Sequence, residues 1–168
     1  DWSEHTIKRA FFCAVAASNL KALRIWLDEG WGLHWRNRWG QTGLHVAIGA
    51  KTYLTLEWLL ENGVDVTVAD KHGNTPLHLA MALEDRGSID LLLQHQADWS
   101  TSNDAGRVPL EMAMNNEIRD YALSRGASSI SKLVSQRQKP MTLMSSEPPV
   151  SGVFGGWPPI NVAAWLGK

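Results

Sequence analysis

Cysteine is nearly absent, Cys13 being the one thiol in 168 residues. An internal disulfide and a cysteine-based metal site are thereby excluded, and the composition fits a reducing compartment. Neither sign of charge is in excess, with 16 Lys and Arg against 17 Asp and Glu. Nothing therefore draws the whole chain toward nucleic acid or an anionic membrane, and any electrostatic recognition must be local. No apolar run is long enough, and free enough of Pro and Gly, to cross a bilayer as a helix. Motifs for chemistry are missing as well: there is no paired-His helix motif, no G-x-S-x-G elbow, no Walker loop and no C-x-x-C. Gly152-Val153-Phe154-Gly155-Gly156 is glycine-rich but lacks the phosphate-loop spacing. His34, His72 and His95 stand too far apart, on unlike elements, to argue a metal site. Asp28-Glu29, Glu84-Asp85 and Glu57 with Glu61 read as solvated helix faces rather than acid/base pairs. No catalytic residue, metal or cofactor is expected. No signal peptide is visible, and a start at Asp1 rather than Met reads as a cut or processed one. A location inside the cell, cytoplasmic or within an organelle after removal of a targeting segment, is the expectation.

What the chain does have is a period. Asp70 to Ala80, D-K-H-G-N-T-P-L-H-L-A, reads as a tight turn on His72-Gly73 followed by a helix that starts at Thr75 with Pro76 in its first turn. The stretch stands one period back as Asn37 to Ala47 and one period on as Asn103 to Ala113. Gly40, Gly73 and Gly106 are evenly spaced, and Leu44, Leu77 and Leu110 keep the same interval. A fixed period of this length means a repeat array. Helical spacing from Thr6 to Leu27 predicts two helices joined near Ser18-Asn19, closed by Gly30. The second unit repeats the plan over Leu44–Ala50 and Leu54–Leu60, and the third over Leu77–Leu83 and Ile89–Leu93. Gln96 takes the closing-glycine position of the third unit, where a residue with a side chain strains the corner. The fourth unit opens on schedule at Gly106 but reaches Gly126 three residues early, so its helices or their turn must be shortened. Ser128 to Gln138 adds a last amphipathic turn or two.

Thr42-Gly43-Leu44-His45, Thr75-Pro76-Leu77-His78 and Val108-Pro109-Leu110-Glu111 stand where ankyrin repeats carry a T-P-L-H signature, and Gly63-Val64-Asp65-Val66 resembles their helix exit. The chain thus resembles an ankyrin repeat protein over about residues 4–135. The first unit, with Arg9-Ala10-Phe11-Phe12 in place of the signature, suits an end cap. The resemblance implies an all-α ankyrin repeat solenoid whose antiparallel helix pairs form one arm of an L, with the turns between units projecting as β-hairpin fingers. It also implies that His45 and His78 hydrogen-bond backbone of the adjoining turn. The expected organisation is a repeat domain over 1–138, in units of about 4–36, 37–69, 70–102 and 103–135, then an extended Pro/Gly/Trp-rich arm over 139–168.

Function is then a matter of surface. The resemblance places contacts at finger tips, here Arg36, Arg38, Trp39 and Gln41, then Lys71, His72 and Asn74, then Asp104 and Arg107, and Trp35 stands beside the first of them as a further partner-binding candidate. The first two tips are basic, while Glu57, Glu61, Glu84, Asp85 and Asp90 lie in the helical layers. Trp31, Trp35 and Trp39 crowd the first finger, and Trp and Arg are enriched at binding hot spots. After Gln138 the composition shifts: five of the seven prolines lie from Pro140 onward, and 148–167 carries no charge. That stretch offers Phe154, Trp157, Ile160 and Trp165 as anchors for a covering surface. The expectation is a non-enzymatic interaction module, an accessory or assembly subunit that docks through finger tips and arm. The alternative is a peptide-recruiting receptor or chaperone that binds an acidic segment on the fingers. Partners are other protein chains, with a multi-subunit complex at or near a membrane as one setting. Neither nucleic acid nor a transmembrane span is expected.

Overall fold

A computed structural model of the chain describes residues 4–127 and 130. Its elements run α1 (Glu4–Ala16), α2 (Leu20–Asp28), α3 (Gly43–Gly49), α4 (Tyr53–Glu61), α5 (Pro76–Ala82), α6 (Arg86–Gln94), a 3₁₀ turn (Pro109–Met112), α7 (Asn116–Ala122) and a π turn (Leu123–Ala127). Each unit is a helix pair, and the first helices stack in a row, α1 on α3, α3 on α5 and α5 on the 3₁₀ turn. The period explains the stacking. Phe11, Leu44, Leu77 and Leu110 occupy one position of the repeat and all four are buried, as are Val15, Ile48 and Met81 at another. Full burial of such a side chain stabilises by about 1.5–3 kcal/mol, so one short helix pair gains little alone and a stacked row gains much. Gly43 lets the first two units close. A β-carbon there would stand 3.2 Å from both the Phe11 ring and Leu59.

Local chemistry fixes where each helix starts and stops. Ser18, Lys51 and Glu84 take left-handed conformations just before the second helices, and Asn19, Thr52, Asp85 and Asn115 stand at their N-caps. The caps at Asn19, Asp85 and Asn115 accept an N–H of the first turn, removing one of the orphan donors a helix start exposes. Each second helix closes on a left-handed residue 11 positions after its cap: Gly30, Gly63, Gln96 and Gly126. Gln96 does adopt φ 64°, as its place in the period predicts.

That constancy locates the shortening of the fourth unit. Thr42 to Thr52 and Thr75 to Asp85 span 10 positions, whereas Val108 to Asn115 spans seven. All three lost residues therefore come out of the first helix and its turn, leaving one 3₁₀ turn that ends at extended Ala113. Glu84 bridges the gap, its carboxylate accepting the Asn115 backbone N–H at 3.1 Å and the Asn115 side-chain amide at 2.5 Å. On the second-helix side, the Tyr121 hydroxyl donates to Asp90 at 2.6 Å, and Arg125 pairs with Asp90 at 3.1 Å. Among the described residues no helix is long and apolar enough to cross a membrane, and no group of His, Cys, Asp and Glu could hold a metal ion. The expected arm over 139–168, with Phe154, Trp157, Ile160 and Trp165, lies outside the described residues, as does most of Ser128 to Gln138.

Candidate protein-binding surface on the turn tips

Between units the chain makes the same turn three times. Asn37, Asp70 and Asn103 stand one period apart, and the Oδ1 of each accepts two backbone N–H groups, from the second and the fourth residue on. The distances are 2.9 and 3.0 Å at Asn37, 2.8 and 2.9 Å at Asp70, and 3.1 and 3.0 Å at Asn103. This is the local bonding that makes Asn and Asp turn formers. Two backbone bonds close each turn: the Asn37, Asp70 and Asn103 N–H groups donate to the carbonyls of Gln41, Asn74 and Arg107, and the Gly40, Gly73 and Gly106 N–H groups donate back to the carbonyls of Asn37, Asp70 and Asn103. The expected β-hairpin fingers are thus tight turns, and among the described residues no strand is present. Two bonds within a turn, plus one to the next turn, are too few to build a ladder.

The bonds from turn to turn hold the tips in a row. The Lys71 N–H donates to the Trp39 carbonyl at 3.0 Å, and the Asp104 N–H to the His72 carbonyl at 3.1 Å. Behind the tips, the His45 Nε2–H donates to the Asn74 carbonyl at 2.9 Å and the His78 Nε2–H to the Arg107 carbonyl at 3.0 Å, as the resemblance implies. The opposite ring nitrogens face the Thr42 and Thr75 N–H groups at 3.2 Å, which fixes the neutral Nε2–H tautomer. Burial depresses both imidazoles, His45 to about 4 and His78 in the same direction, against the pull of their carbonyl partners. These histidines are structural struts.

The side chains expected at the site divide in three. Arg36, Arg38, Lys71 and His72 are exposed, and Trp35, Trp39 and Arg107 are half-buried. Asn74 is a correction: it is only 6% exposed, its amide caught between Asp70 and Asn103, so it builds the turn rather than facing outward. Two of the exposed cations are already engaged. Arg36 donates to the Ala69 carbonyl at 3.0 Å, and the Arg38 guanidinium lies 4.0 Å from the centre of the Trp39 ring. Trp35 packs against the core with the Lys8 ammonium 5.3 Å above it, while Trp31, 41% exposed, leans on Trp26. The three tryptophans therefore do not form one cluster. Below the tips, Asp65 and Asp98 accept from Thr67 and Ser100, and those hydrogen bonds hold both carboxyls below the usual range.

Sequence reasoning missed the three Asx residues and the bonds linking the tips. The first had a signal, since only Asn or Asp stands at 37, 70 and 103. The second had none, because backbone bonds between turns leave no trace in side-chain identity.

The comparisons with known proteins agree with this geometry. Among curated proteins, none matches the chain. The family model for ankyrin repeats, in three copies, matches residues 11–103, which is 93 of the 168, and it ends where the shortened fourth unit begins. Repeats of this family are generally protein–protein interaction modules, typically without catalysis, and so imply protein partners. With signature, stack and family model in agreement, the chain belongs to the ankyrin repeat family.

Proposed function

We propose that this chain is a non-enzymatic accessory or assembly subunit of a larger protein complex, docking through its turn tips and its C-terminal arm. One observation carries the reading: at the first tip Arg38 is laid on Trp39, whose carbonyl fastens the next tip through the Lys71 N–H. A partner meeting this edge finds cations whose freedom is already reduced, which lowers the entropy lost on binding. Trp and Arg are also the residue types that dominate hot spots. The uncharged stretch 148–167 supplies apolar anchors, Phe154, Trp157, Ile160 and Trp165, that suit a second contact on another chain or on a surface beside a membrane.

The same basic tips support a second reading, a receptor or chaperone that recruits an acidic segment transiently. Lifetime and salt response separate the two. The full chain is tagged in its native source and isolated at about 0.5 M salt, where the Debye length is roughly 4 Å. Partners retained there, and lost when Arg38→Glu and Lys71→Glu are combined with Trp157→Ala, support the subunit reading. Partners that wash off at that salt support the receptor. Retention of every partner by the triple variant overturns docking through these residues.

A further inference from the structure

Arg38, Lys71 and Asp104 occupy the same position in three successive turns. Their tips are joined by the Lys71-to-Trp39 and Asp104-to-His72 backbone bonds, so the three charges stand in a fixed order. The packing around them repeats too. Lys71 lies over Gly40 and Asp104 over Gly73, each close enough that a β-carbon on the glycine would crowd the next tip. All three side chains are exposed. Among the described residues none is taken up by an ion pair. The edge therefore carries a row that reads plus, plus, minus.

Resting on the interaction reading above, we infer that this row selects an extended peptide segment of a partner protein that carries acidic residues at positions i and i+3 and a basic residue at i+6. The spacing follows from the turns. The first helices stack in a row, and helices packed side by side stand about 8–10 Å apart, which sets the tips in front of them about 10 Å apart. A left-handed polyproline-type segment rises about 3.1 Å per residue with three residues per turn, so every third side chain lies on one face about 9 Å from the last. A β-strand places every third side chain on alternating faces and fits the row worse. The Asp104 carboxylate is what makes the order specific. A uniformly acidic segment meets repulsion at the third tip, and a segment with its base in the middle meets it at both Lys71 and Asp104.

The test uses the full chain and three labelled synthetic peptides on a proline-rich background, titrated by fluorescence anisotropy at low salt. One carries D-x-x-D-x-x-K, the second D-x-x-K-x-x-D, and the third D-x-D-x-x-x-K. All have one composition and one net charge, so unspecific attraction binds them alike. The second pattern is wrong in either chain direction. The first peptide is expected to bind about tenfold tighter than either of the others, the sum of several weak exposed pairs. In the protein variant Lys71→Asp, Asp104→Lys, the second peptide is expected to become the preferred one. Equal affinities, no binding of the first peptide, or an unchanged preference in the variant overturns the row. Native partners lost on tip charge reversal while the peptides fail would leave the interaction reading standing and remove only this ligand.

Discussion

Two buried imidazoles tie the second and third turns to the helices behind them, and they make the stack sensitive to acid. His45 is held near 4 against an ordinary value of 6.5. Between those values the unfolded chain binds the proton and the folded chain does not, so stability is full above pH 6.5 and falls as the pH drops toward 4. The loss expected from His45 is about 3 kcal/mol across that window, and His78, depressed in the same direction, adds to it. Denaturant melts of the wild type and His45→Gln at pH 7 and pH 5 check this, since most carboxylates stay ionised there. The variant should show the flatter pH dependence; equal slopes would exclude His45 as the source. The place of these histidines was legible in the signature, whereas the burial of Asn74 was not. A residue at a turn tip is as readily spent on the turn as offered to a partner, and only the contacts of Asp70 and Asn103 decide.

Among the elements, the turns are the parts joined from unit to unit by backbone bonds. Gly73 and Gly106 both have φ near +73°, at 74° and 72°, where a side chain costs about 1–2 kcal/mol. They differ in surroundings. A β-carbon on Gly73 would come within 2.6 Å of the Asp104 backbone nitrogen, while one on Gly106 meets nothing within 4 Å. Gly73→Ala should therefore destabilise by about 1–3 kcal/mol more than Gly106→Ala, the usual range for overpacking. Chemical denaturation of the two variants measures the difference, and equal losses would mean that the tips are not packed as a row. The helices themselves were readable from period and apolar spacing. The site of the three-residue deletion was not, because Gly106 and Gly126 bound the unit without saying which helix gives way. Asn115 settles it, an N-cap three residues before Ile118 that stands 11 positions before left-handed Gly126, the same span as in the other units.

On the scale of the whole molecule, the family and the stacking order could be read from residues alone, because one period imposes one packing surface on every unit. Partner identity could not, since surface residues answer to a second molecule. The stack also decides what the chain needs to fold. Units in such an array draw stability from their neighbours, so removing an end unit costs its own interface and exposes the face it covered. The fourth unit covers a real face: α5 packs on its 3₁₀ turn, and Leu110, Ile118, Ala122, Ala127 and Ile130 are buried there. Truncation after Gln138 retains all of these, and should leave a helical protein with one cooperative melt close to that of the full chain. Truncation after Ser102 uncovers the side of α5 on which the 3₁₀ turn packs, and should lower Tm by about 10 °C or more, because a loss of 1 kcal/mol moves a domain of about 100 residues by about 4–8 °C. Circular dichroism melts of the two truncations at equal concentration decide the matter. Loss of helical signal after the first cut, or equal Tm after both, would show that the repeats are not the folding unit.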